Sequence, residues 1–193
     1  TYETPTLAGF SGTLQSAPKE STTGRDSSSY SAGLAYNGGP LSLMATYTDA
    51  GSNSTLDSLG NATPTNKAYP AAFKAASLNG SYDFGFLKAF AQYTSFKYGS
   101  SALQTVANLT TVSKASVYQL GVSAPVTASG TVMASYGQAK YKQIGDDATN
   151  KIFSVGYDQA LSKRTSAYAA FTTEKLTTIT GGRALAVGLK HNF

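Results

Sequence analysis

The sequence predicts an all-β chain, a transmembrane antiparallel β-barrel of about ten strands, and three observations carry that prediction. Segments of about ten residues alternate apolar with small or polar side chains. The connections between them alternate in length, short then long. The chain is also poor in charge, with 13% Asp, Glu, Lys and Arg, and rich in Gly (19 residues) and Tyr (13 residues). An ordinary soluble domain carries about 25% charged residues, and a surface that faces lipid accounts for the shortfall.

The abundant Thr, Ser, Tyr and Gly favour strand and turn over helix. No segment repeats at the helical period, and no run approaches the roughly 18 apolar residues of a membrane-crossing helix. Any crossing must therefore be made by strands. They are predicted over residues 6–16, 28–37, 41–50, 71–83, 86–98, 114–124, 130–142, 150–160, 165–175 and 183–193. Each is close to the 9–11 residues that a tilted strand needs to span a bilayer. Tight turns are predicted at Asn37-Gly38-Gly39-Pro40, at Asp83-Phe84-Gly85, at Pro125–Ser129 and at Ser162-Lys163-Arg164. The longer polar connections are 17–27, 51–70, 99–113, 143–149 and 176–182. Short turns at one end and long loops at the other distinguish a membrane barrel, with its short turns periplasmic, from a soluble sandwich.

The faces agree with this. In the last strand Leu185, Val187, Leu189, His191 and Phe193 share one side, and Ala184, Ala186, Gly188, Lys190 and Asn192 the other. Phe153, Val155 and Tyr157 alternate with Ser154, Gly156 and Asp158, and Val132, Ala134 and Tyr136 with Thr131, Met133 and Ser135. The apolar face suits lipid, and the face of Ser, Thr, Gly and Asn suits a solvent-filled interior. Tyr36, Tyr82, Tyr93 and Tyr157 fall near strand ends, where a ring in hydrocarbon and a hydroxyl in water mark the membrane interface.

Several function classes drop out. With no Cys there are no disulfides or thiolate metal sites. The net charge of +5 is spread thinly, with no basic cluster larger than Lys163-Arg164, so nucleic acid is not an expected partner. His191 is the only histidine; it sits on the apolar face without a nucleophile near it, so no enzyme and no cofactor are expected. Asp146-Asp147 is too small an oxygen set for a divalent cation by itself. Lys163 and Arg164 read as a solvated turn. The Asn-x-Ser/Thr triplets at Asn53, Asn61, Asn79 and Asn108 carry no weight in a chain so rich in Ser and Thr. Thr1 begins in mid-pattern without a basic leader, as expected of a mature or trimmed product.

Four stretches then resemble a known family. Tyr2-Glu3-Thr4-Pro5 with Ala8-Gly9-Phe10-Ser11-Gly12 is one, and Gly80-Ser81-Tyr82-Asp83-Phe84-Gly85 with Ala91-Gln92-Tyr93 is another. The more specific pair is Val155-Gly156-Tyr157-Asp158 with Leu161-Ser162-Lys163-Arg164-Thr165, and the closing Val187-Gly188-Leu189-Lys190-His191-Asn192-Phe193. Together they resemble the C-terminal part of the general porins of Gram-negative bacteria, of the β-proteobacterial type, across essentially the whole chain. The resemblance implies that residues 1–193 are the C-terminal part of a single barrel domain, their ten strands corresponding to strands seven to sixteen of a sixteen-stranded barrel; the alternative is an unusual barrel of ten strands. The loop that narrows the family's pore would precede Thr1. It further implies an outer-membrane homotrimer, passive diffusion of small hydrophilic solutes and ions, and contact with bilayer lipid and lipopolysaccharide. Phe193 becomes the C-terminal aromatic read by the barrel-assembly machinery.

On that reading the interior face carries Lys88 and Lys190, which lower the electrostatic barrier to passing anions. Asp158 and Glu174 fall on the same face and temper the positive field. Anion preference is the expectation. The rivals are an adhesive barrel with a closed lumen, which would need bulky interior side chains, and a soluble all-β binding protein.

Overall fold

The computed structural model describes residues 1–18, 28–50, 73–98, 104–106, 109–143, 147–177 and 181–192. Its strands are β1 (Tyr2–Glu3), β2 (Phe10–Ala17), β3 (Ser29–Gly38), β4 (Leu41–Ala50), β5 (Phe73–Asp83) and β6 (Lys88–Tyr98), then β7 (Gln104–Val106), β8 (Leu109–Pro125), β9 (Gly130–Gln143), β10 (Ala148–Ala160), β11 (Thr165–Leu176) and β12 (Arg183–His191). All pairs are antiparallel. Each strand is bonded to its neighbours in the chain, except that β6 pairs with β8 and β7 flanks β8 outside that path. The sheet is a meander with β1 at one edge and β12 at the other, and among the described residues these edges do not pair with each other.

Five tight connections, at residues 7–10, 38–41, 84–87, 126–129 and 161–164, lie at one end of the sheet. Backbone bonds close them: Phe84 N to Leu87 O and Val126 N to Gly130 O at 2.9 Å, and Leu161 N to Thr165 O at 2.8 Å. The strand ends that the longer connections join all lie at the other end, as the sequence predicts.

Three elements differ from expectation. The first predicted strand, 6–16, is broken in two. Tyr2 faces Leu14 and Glu3 faces Thr13, Thr4 N donates to Gly12 O at 2.8 Å, and Leu7 and Phe10 exchange backbone bonds of 2.8 and 2.9 Å. The turn between is Ala8-Gly9, with φ of 51° and 86°, the positive values of a two-residue hairpin turn. A Cβ on Gly9 would stand 2.5 Å from the Asn37 carbonyl oxygen, and Gly9 O accepts from Asn37 N at 2.8 Å. Periodicity misses this turn because apolar side chains flank it on both sides.

The second and third differences share a cause. The stretch 99–113, expected as a loop, contains β7, and β8 begins at Leu109 rather than 114. The β8–β9 register shifts between Val112 and Lys114. This bulge swaps the two faces, so alternation read back from residue 114 stops there. Val112 is fully buried against Ala148, with Tyr98 and Tyr141 packed on them.

Candidate functional site

Residues opposed across an antiparallel ladder share a face, so the register fixes which side chains lie together. On one face Ser31 meets Thr48, Gly33 meets Thr46 and Ala35 meets Met44. The row continues through Thr46–Ser77 and Met44–Asn79, Asn79–Gln92, Gln92–Gln119, Gly121–Ser135, Ser135–Ser154 and Ser154–Thr172. Hydroxyls bond across strands: Thr46 and Ser77 at 2.6 Å, Ser154 and Thr172 at 2.9 Å, and Ser31 donates to Thr48 at 3.2 Å. A depression of about 620 Å³ opens on this face, lined by Asn79, Gln92, Gln119, Ser135 and Ser154 together with Phe90.

The opposite face carries Leu14, Leu34, Leu78, Leu120, Leu185, Val187 and Leu189, each between 55% and 75% exposed. So wide an exposed apolar surface needs an apolar covering. Aromatic residues bound it near the short turns. Phe10 lies 4.6 Å from Tyr36, Tyr82 is 4.6 Å from Phe84, and Phe84 is 6.2 Å from Phe86, measured between ring centroids. Of the four tyrosines predicted near the interface, Tyr36, Tyr82 and Tyr157 stand at this end. Tyr93 does not stand at either end: it is the middle residue of β6, opposite Tyr118 on β8.

The register puts Lys88, Lys190, Asp158 and Glu174 all on the hydroxyl-lined face. Lys88 is opposed by Asp83 and Ser123, and its ammonium lies 5.4 Å from the Phe90 ring centroid. Asp83 itself accepts from Gly85 N at 2.8 Å, which ties it to its turn. Lys190 is opposed by Ser166, whose hydroxyl donates to Asp158 at 3.1 Å, so these three form a short polar row beside the short turns. Glu174 stands apart, at the long-loop end, and accepts from Asn150 Nδ2 at 2.6 Å. Phe193, Asp146 and the triplets beginning at Asn53, Asn61 and Asn108 lie outside the described residues or run into them only in part. Among the described residues no three metal-ligating side chains gather.

Sequence reasoning missed where most of the positive charge goes. Lys74, Lys97, Lys114, Lys140, Lys142, Lys151, Lys175 and Arg183 all fall on the apolar face, near the long connections. Among the described strand residues, the hydroxyl-lined face holds Lys88 and Lys190 against Glu3, Asp83, Asp158 and Glu174.

The depression is lined from six strands, β5, β6 and β8 to β11, so the sheet is concave on its polar face and convex on its apolar one; with short turns at one end, such a meander is an outer-membrane-type β-barrel wall. Solved structures bear this out. The sheet is similar to a loop-deleted form of OmpT, an outer membrane protein of Vibrio cholerae, with TM-score 0.66 and 14% identity over 98% of this chain and 61% of that one. The outer-membrane-expressed OmpT gives TM-score 0.63 at 11% identity over 96% and 61%. The chain belongs to the Gram-negative porin family, which it matches over residues 1–178. It is also 29% identical over 187 residues to an outer membrane porin protein of Bordetella pertussis, covering 83% of this chain and 45% of that relative. The chain thus spans less than half the length of that relative. Its place is the outer membrane of a Gram-negative bacterium.

Proposed function

We propose that this chain forms part of the wall of a water-filled channel through which small hydrophilic solutes and ions diffuse passively. The observation that carries this reading is the contrast between the faces. Ser, Thr, Gly, Asn and Gln line a concave surface with room beside it, and exposed Leu, Val and aromatic residues cover the convex one. There is no chemical step: size and charge set the rate of passage. The small interior side chains favour an open lumen over a plugged, adhesive barrel.

In lipid an unpaired strand edge is costly. We therefore infer that further strands complete the barrel beyond β1 and β12, and that residues 1–193 are the C-terminal part of one barrel domain. Homotrimer formation, contact with lipopolysaccharide and recognition of Phe193 by the assembly machinery belong to the same reading. Anion preference was expected from the net charge of +5. The register moves most of that charge off the interior, so within this wall only Lys88 and Lys190 support it. Planar-bilayer conductance of the intact protein tests the channel, and reversal potential in a salt gradient tests the preference. Stepwise conductance is expected; its absence would sink the channel, and a cation-selective potential would sink anion preference.

A further inference from the structure

Along much of the concave face the polar side chains bond to one another. Thr46 meets Ser77 at 2.6 Å, Ser154 meets Thr172 at 2.9 Å, and Asn150 donates to Glu174 at 2.6 Å. Around the depression of about 620 Å³ the pattern changes. The side chains of Gln92, Gln119, Ser123 and Ser135 line it, and among the described residues they have no hydrogen-bond partner. Its apolar part is Phe90, 42% exposed, and Met133, 41% exposed. No ionisable side chain lines it. Lys88 and Asp158 stand two residues away from Phe90 and Gly156 along β6 and β10. The Lys88 ammonium lies 5.4 Å from the Phe90 centroid, and Asp158 accepts from the Ser166 hydroxyl at 3.1 Å.

Two glycines give the depression its depth. Phe90 is opposed by Gly121, and Met133 by Gly156. Neither glycine has a positive φ. A Cβ on either would stand 3.5 Å from its nearest neighbour, an ordinary contact distance. Neither the backbone nor the packing therefore demands glycine at these places. What the missing side chains do is leave the Phe90 ring and the Met133 thioether bare on one flank. A cavity of this size, with an apolar and aromatic surface and a few polar groups at its edge, has the make-up of a small-molecule site.

We propose that this depression is a weak binding site for an uncharged sugar in its ring form, with Phe90 as the platform. The proposal rests on the channel reading and narrows its solute class. Charge selects first. A lining without ionisable groups gives a carboxylate, a phosphate or an ammonium no partner for the water it sheds on entering. Hydrogen bonding selects next. An amide carries donors and an acceptor, and a serine hydroxyl is both at once, which matches the hydroxyls of a sugar. Shape selects last. A pyranose ring turns a flat C–H face to the aromatic ring and its hydroxyls outward to Gln92, Gln119, Ser123 and Ser135. An open-chain polyol has the hydroxyls without the face. Binding is weak, because a solute held in a channel must also leave it. Passage of such a sugar then saturates with concentration.

The test is ion current through the intact protein in a planar bilayer, with D-glucose or its open-chain alditol, sorbitol, added at equal osmolality. Saturation-transfer NMR of the same solutes with the protein in detergent is the second readout. Glucose should reduce the current further than sorbitol does, and the reduction should saturate. Phe90→Ala should weaken glucose binding about twofold to tenfold, and Phe90→Tyr should keep it. Gly121→Val, which fills the space beside the ring, should abolish the difference between the two solutes. Equal effects of glucose and sorbitol, or an unchanged glucose response in Phe90→Ala, would overturn the site. Tighter binding of adenosine than of glucose would do so too, and would mark a platform for planar bases. No glucose response, together with lower stability in Phe90→Ala, would mean that another segment of the barrel packs there, and would equally end the proposal. The two readouts keep the outcomes apart. Glucose-specific NMR binding without current leaves the site and sinks the channel, and current without glucose-specific binding does the reverse.

Discussion

The two rims of the convex face differ in charge. At the short-turn rim Phe10, Tyr36, Tyr82, Phe84 and Tyr157 border the apolar band, and the cations near it are Lys163 and Arg164 in a turn. At the long-loop rim stand eight basic residues on seven successive strands of the sheet path. The rings mark the short-turn edge of the band. A row of like charges is favourable only beside an anionic surface. The two interfaces are therefore not interchangeable, and the sheet carries a built-in polarity across the bilayer.

The largest effect should come from placing charge between the rims. Leu120, 60% exposed on the convex face, when changed to Arg should lower unfolding free energy by about 2–4 kcal/mol, read by denaturant titration in vesicles. Gln119→Arg, one residue away on the concave face, should alter reversal potential with little loss of stability. Equal losses would erase the distinction between the faces.

Gly9→Val comes next, since it forces a β-branched side chain to φ 86° against the Asn37 carbonyl. A loss of about 1–3 kcal/mol is expected, with faster hydrogen exchange over residues 2–7 as the local signature. Tyr82→Ala should remove the ring contact with Phe84 and lower stability by about 0.5–1.5 kcal/mol beyond the lost area, by the same titration. The smallest effect belongs to the charged rim. Lys114→Gln in uncharged detergent should raise stability by about 0.2–1 kcal/mol, because one residue opposes two other lysines. That gain should shrink as salt is added. A loss on Lys114→Gln in uncharged detergent would mean that the protein itself satisfies the charge of Lys114.

Most of the ladder is legible in the sequence because a strand with one face in lipid and one in water must alternate strictly. Val132, Ala134 and Tyr136 against Thr131, Met133 and Ser135 show this, and a slip of one residue would reverse every side chain. Lys88, Lys190, Asp158 and Glu174 are found by the same logic, and the register places all four on one face. Legibility ends where geometry departs from strict alternation. The Ala8-Gly9 turn hides between apolar neighbours, and the bulge before Lys114 hides the start of β8. The row of opposed lysines is invisible along the chain for another reason. Lys74 and Lys97, or Lys114 and Lys142, lie far apart in sequence, and only register makes them adjacent.

The meander also has a kinetic meaning. Apart from the short strand β7, no pairing among the described strands skips a neighbour in the chain. Each new strand therefore has only a hairpin's length of chain to close before it bonds. Low contact order of this kind favours rapid folding, and it lets the sheet grow one hairpin at a time from an edge already in place. A wall built this way can be laid down as a zipper, each strand serving as template for the next.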